Sequence, residues 1–207
     1  MKKRMAVSVL TMTCGLLAGC GGQSQQETFE TLRAPIEAAE EIRLVAQLQT
    51  ESAEQAETYG LECIRSEDAW EVTVTEPEIL AGITARLSDE ETALIYGDVM
   101  LPVGDLTAGG IPPVGAVPVM VETLRDGALD SVWTENGALA AKLIYDDEVD
   151  VTVWFDEENK PCRAELSEQG TVRARCTLEE FRVERSQANG GTEETDLGGD
   201  QPAEFAP

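Results

Sequence analysis

The sequence predicts a mainly β domain of the α+β class: an antiparallel sheet with one apolar face and an amphipathic helix to cover it. Three observations predict it. Apolar and polar residues alternate with period two through most of the body of the chain, the pattern of strands buried on one face. Turn residues punctuate those runs at short intervals, and Asn136-Gly137 is the strongest short-range hairpin signal. Helical spacing appears in only two places, Glu27–Ala34 and Val114–Arg125.

Taken in order, the first helix places Phe29 and Leu32 on one side and is limited by Pro35. Strands are then expected at Ile42–Thr50 and at Glu57–Arg65, with Tyr59, Leu61 and Cys63 sharing a face. Ala69–Thr75 puts Trp70, Val72 and Val74 on one face, "EPEILAG" turns the chain, and Ile83–Leu87 alternates again. Thr92–Tyr96 and Val99–Leu101 flank Gly97-Asp98, a two-residue turn that requires positive φ. Gly104–Pro113 reads as a loop. In the second helix Val117, Met120, Val121 and Leu124 form one stripe, Pro118 is tolerable only near the first turn, and Gly127 is the stop. Asn136-Gly137 then joins Leu129–Glu135 to Ala138–Tyr145. Asp146-Asp147-Glu148 leads into Val149–Phe155, and "DEENK" into the next strand.

The last hairpin turns at Glu168-Gln169-Gly170. Centred on Gln169, it sets Leu166 opposite Val172, Ala164 opposite Ala174 and Cys162 opposite Cys176 on one apolar face. Glu165 then meets Arg173 on the other face, and Arg163 meets Arg175. Val151, Val153 and Phe155 continue the apolar face. Two readings of Cys162 and Cys176 stand side by side: a cross-strand disulfide, which an exported chain can form, or two thiols packed as small apolar residues. Cys63 is left unpaired.

The start of the chain carries the most specific motif. Lys2, Lys3 and Arg4 precede an apolar run, Met5–Leu17, that is shorter than the ~20 residues a spanning helix needs. This is the plan of a secretory signal. Leu17-Ala18-Gly19-Cys20 resembles the lipobox of bacterial lipoproteins, which implies a diacylglyceryl group on Cys20 and cleavage before it. Cys14, after "TMT", lacks that pattern. The chain divides into a signal peptide, 1–19, a lipidated tether, 20–26, a folded domain, 27–184, and an acidic tail without residues to bury, 185–207. Stable anchoring by acyl chains follows from about 0.8 kcal/mol per buried methylene. The expected location is outside the cytoplasm, held to the cell membrane by lipid.

Composition excludes several functions. The formal charge is −25, and removal of the three positive charges of residues 1–19 takes it to −28. Such a chain repels nucleic-acid phosphates, so no nucleic acid is expected as partner. The absence of any histidine removes Ser-His-Asp and Cys-His catalysis, and no P-loop or dinucleotide fingerprint is present. No cofactor and no metal are expected. The acidic runs Asp146–Asp150 and Asp156–Asn159 fall on turns and lack the spaced order of a calcium loop.

With those elements in place, the stretches "WEVTVTEPEILAGITARL" and "VDVTVWFDEENKPCRAELSEQGTVRARCTLEEF" resemble the strand run of the LolA/LolB-like superfamily, carriers and receptors of bacterial lipoproteins. They are closer still to its lipid-anchored clostridial members, the GerS germination lipoprotein group. The resemblance covers roughly residues 29–183. It implies a strongly curved antiparallel sheet, an incomplete β-barrel, with helices on the concave side and an apolar interior able to hold acyl chains. Trp70, Leu87, Met120, Leu124, Val153 and Phe155 are then candidates to line it, or plain core. Two functions follow, neither enzymatic: binding of a hydrophobic ligand or a lipoprotein's acyl chains, or scaffolding of an envelope or spore protein with no lipid cargo. A monomer is expected in either case.

Overall fold

The computed structural model describes residues 21–51, 56–88, 91–103 and 111–184. The signal, the lipobox Leu17, Ala18 and Gly19, the lipidation candidate Cys20 and the tail 185–207 lie outside them. Among the described residues, eleven strands form one antiparallel sheet in the order β6-β5-β4-β3-β2-β1-β11-β10-β9-β8-β7, so every neighbour but one pair is also a sequence neighbour. The strands are β1 Glu41–Glu51, β2 Ala56–Ser66, β3 Ala69–Glu76, β4 Thr84–Ser88, β5 Thr92–Tyr96 and β6 Val99–Val103 in one wing. The other holds β7 Ala128–Glu135, β8 Ala138–Ile144, β9 Val149–Phe155, β10 Pro161–Glu168 and β11 Thr171–Glu184. The exceptional pair, β1 with β11, joins the two wings. Among the described residues the sheet is open, with β6 and β7 at its two edges; it is not closed into the expected barrel.

Curvature follows from what the second helix touches. α2, Pro113–Asp126, packs against β3, β2 and β1 on one side of the junction and β10, β9 and β8 on the other. Laid flat, β3 and β8 would be six strand spacings apart, about 29 Å, whereas a helix of this length reaches about 21 Å. The sheet therefore curls around α2. The expected stripe is the buried one: Val117, Met120, Val121 and Leu124 are all core. Pro113 occupies the first helical position, where its missing N–H costs nothing. Pro118 stands deeper inside the helix than expected and is buried.

α1, Gly21–Glu37, runs well beyond the predicted Glu27–Ala34. It takes in 21–26, where a tether was expected, and Gln25 Nε2 donates to Thr134 Oγ1 of β7 at 3.0 Å. It also passes through Pro35. An internal proline costs about 3 kcal/mol, but Ile36 beyond it is buried, as is Phe29, whose ring meets Phe155 edge-on at 6.1 Å. Tertiary burial outweighs local propensity here.

The turns follow the sequence. Asn136 and Gly137 have φ of 52° and 87°, and Glu135 faces Ala138 across them. Asp146 and Asp156 build their turns with their own carboxylates: Asp146 Oδ1 accepts from the Glu148 and Val149 N–H groups, and Asp156 Oδ1 from those of Glu158 and Lys160.

The last hairpin differs from expectation in register. Its turn is the two-residue Gln169-Gly170, at φ 50° and 76°, so Glu168 faces Thr171. That one-residue change alone would put every side chain on the wrong face. A bulge between Leu166 and Ser167 inserts one more residue on β11 and restores it. Leu166 therefore faces Ala174 rather than Val172, and Ala164 faces Cys176 rather than Ala174. Glu165 pairs with Arg175, at 3.3 Å, rather than with Arg173, which turns to Glu168 at 3.0 Å.

The disulfide reading is corrected by the same geometry. A second irregularity, between Pro161 and Arg163, leaves Cys162 unmatched on β9, and Pro161 takes the place opposite Phe155 on the concave face. Cys162 Sγ instead lies 3.5 Å from the Trp154 carbonyl oxygen. Cys63, Cys162 and Cys176 are free thiols.

Candidate functional site

Between α2 and the concave face the packing is tight. Val117, Met120, Leu124, Val153 and Cys176 surround a void of about 10 Å³, no larger than one water occupies. Three of the expected lining residues, Met120, Leu124 and Val153, are thus core, and Phe155 is packed against Phe29.

The other two, Trp70 and Leu87, lie elsewhere. They line an open groove of about 520 Å³ where the β3–β5 end of one wing approaches Tyr145, in the β8–β9 turn of the other. Ile111, Pro112 and Val119 form its α2 side. Trp70 and Leu87 come together because they face each other across β3 and β4, with Thr92 next in the same row on β5.

A charged network forms the groove's floor. Glu122 of α2 accepts from Trp70 Nε1 at 2.8 Å and from Arg65 Nε of β2 at 2.8 Å through one oxygen, and from Arg125 at 2.6 Å through the other. Arg125 reaches on to the Ile36 carbonyl at 3.3 Å, and Arg33 of α1 donates twice to the Arg125 carbonyl, at 2.9 and 2.6 Å. Arg33 also pairs with Glu37 at 2.7 Å. The chain ties α1, α2, β2 and β3 together at one point and satisfies the buried guanidinium groups, as buried charge requires.

Periodicity could not have found this cluster. Arg65, Glu122 and Arg125 sit at the polar margins of their elements, and only the curl of the sheet brings them into contact. Among the described residues that line the groove, no hydrogen bond joins a hydroxyl to a carboxylate. Among the described residues no group of three or more acidic or cysteine side chains is placed to hold a metal. No helix among them is long and apolar enough to cross a membrane.

No protein-family model and no curated protein matches the chain. Solved structures do, at low identity. A lipoprotein-sorting protein domain described as putative outer membrane, from Vibrio parahaemolyticus, is 11% identical with a TM-score of 0.43, covering 84% of this chain and 95% of its own. A LolA superfamily protein from Nitrosomonas europaea is 12% identical with a TM-score of 0.39, covering 75% and 93%. The CwlD amidase–GerS lipoprotein complex from Clostridioides difficile contributes a chain 14% identical with a TM-score of 0.40, covering 89% and 100%. Each of these is a likeness of fold alone.

Proposed function

We propose that the protein is a lipid-anchored envelope protein that acts as a docking scaffold for another envelope protein, without an acyl chain in its interior. One observation carries the choice: where the Val117–Met120–Leu124 stripe of α2 meets Val153 and Cys176 of the sheet, the void is only about 10 Å³. Small-molecule sites are of the order of 300–1,000 Å³ and bury most of their ligand. The groove reaches that size, but it is open and its floor is an ion network rather than an apolar sleeve.

Native mass spectrometry of the purified chain tests the scaffold reading. The expected spectrum is free of lipid, with an acyl probe failing to bind. A stoichiometric acyl lipid carried through purification would overturn it in favour of a carrier. The anchor is tested separately: Cys20→Ala should move the protein from the membrane fraction to the soluble one, and continued membrane retention would remove the lipobox reading.

A further inference from the structure

The concave face of the sheet does not stop where α2 stops covering it. Val72, Ala85, Leu94 and Leu101 stand opposite one another across β3, β4, β5 and β6, one row of one face. Val72 and Ala85 are fully buried and Leu94 packs on the core, yet Leu101 is 58% exposed. In the next row Tyr96 and Val99 face each other and are 65% and 56% exposed. The outer half of the core face is therefore bare, and it continues directly from the groove row of Trp70, Leu87 and Thr92. A contiguous apolar surface of this kind marks an interaction site.

Charge indicates what covers it. Residues 69–103 carry seven acids and a single base, Arg86. Arg86 lies in register with Glu71 and Ala93, on the face away from these rows. Glu76, Glu78, Glu91 and Asp98 are exposed around the apolar rows. A second copy would bring the same excess of acid against this wing, and anionic headgroups would be repelled by it. The edge of β6 is also a poor template for an added strand, because Pro102 has no N–H to offer. Contact must come through the face.

We infer that the concave face of the β3–β6 wing docks a basic segment of a partner protein, Tyr96, Val99 and Leu101 receiving its apolar side chains and the acidic rim its Lys and Arg. This rests on the scaffold reading above. The test uses the purified chain and a fluorescent peptide of alternating Lys and Leu, read by anisotropy. The peptide should bind, and binding should weaken as salt rises from about 20 to about 300 mM. Its Glu/Leu counterpart should not bind. Tyr96→Asp with Leu101→Asp should weaken binding about tenfold or more, although each change adds an acid and would strengthen a merely ionic attraction. Thr171→Asp, on the other wing, should leave it unchanged.

Binding equal to or tighter than wild type in the double variant would overturn the inference. So would equal binding of the Glu/Leu peptide, a dimer in sedimentation that Leu101→Asp disperses, or adhesion to phosphatidylglycerol vesicles that the same change abolishes. Tyr96→Ser with Leu101→Ser provides the same readout should the acidic pair disturb folding, checked by thermal melts. A co-purifying lipid would remove the scaffold reading itself; a lipid-free protein whose peptide affinity ignores these substitutions would remove only this surface.

Discussion

Trp70 donates its indole N–H to Glu122 at 2.8 Å and so fastens α2 to the wing of the sheet that the helix leaves partly bare. Arg65 and Arg125, side chains 12% and 10% exposed, converge on the same carboxylate. Glu122→Ala leaves both guanidinium groups without it and should cost about 2–3 kcal/mol in urea unfolding. Trp70→Phe keeps the ring and deletes the donor, at about 1 kcal/mol. A loss below about 0.5 kcal/mol in Glu122→Ala would place the cluster with solvated surface pairs instead.

Phe29 makes α1 part of the core. Its ring is fully buried and edge-on to Phe155. Phe29→Ala should destabilise the domain by about 3–5 kcal/mol, while Glu30→Ala, one residue on and exposed, should stay within about 0.5 kcal/mol. Equal, small effects would mean that α1 is dispensable.

Gly127 follows the last turn of α2, and its position leaves no room for a side chain. Its φ is −64°, open to any residue, but a Cβ there would lie 2.5 Å from the Thr123 carbonyl oxygen and 3.0 Å from that of Ile144. Gly127→Ala should therefore cost about 1–3 kcal/mol through overpacking. At Gly137 the reason is conformational: φ is 87° and nothing lies within 4 Å, so Gly137→Ala should cost about 1–2 kcal/mol from the left-handed backbone alone. Thermal melts read the two costs, and Thr123→Ser in the Gly127→Ala background should recover only the share due to the Thr123 methyl, 2.8 Å from the added Cβ, because the other contacts are to backbone.

Burial pushes the Cys176 thiol up to about 12 and the Cys63 thiol higher, helped there by Cys176 and Glu62. Both stay protonated in the fold while the unfolded chain ionises near the ordinary value of 9.0. The unfolded state then holds fewer protons, so stability is full below pH 9 and falls as pH rises toward 12, by up to about 1.4 kcal/mol per pH unit for each thiol. Replacing both by Ala should flatten denaturation midpoints against pH in this range; an unchanged slope would assign the effect to other groups. Iodoacetamide at pH 8 should reach half-exposed Cys162 before Cys63 or Cys176, read by peptide mapping.

Much of the fold was legible because alternation reports which face a side chain takes. The apolar rows of β1, β3 and β9, the α2 stripe and the Asn136-Gly137 turn all read directly from residue order. Alternation is blind to which partner a residue meets. Cys162 and Cys176 were expected to face each other because an unbroken hairpin preserves its count, and irregularities at Leu166/Ser167 and Pro161/Arg163 change that count without changing the apolar face. Likewise Pro35 reads as a helix end until the burial of Ile36 is known.

The sequence by itself determined a mainly β chain with one apolar face, strongly acidic, without histidine, and with a lipobox-like start. These are properties of composition and period, and they need no long-range contact. Only the tertiary structure decided that the interior is filled, that Trp70 and Leu87 face a groove while Met120, Leu124, Val153 and Phe155 do not, and that Glu122 joins two helices and the sheet. Those outcomes depend on how far the sheet curls around α2, a sum over eleven strands that no local stretch of sequence encodes.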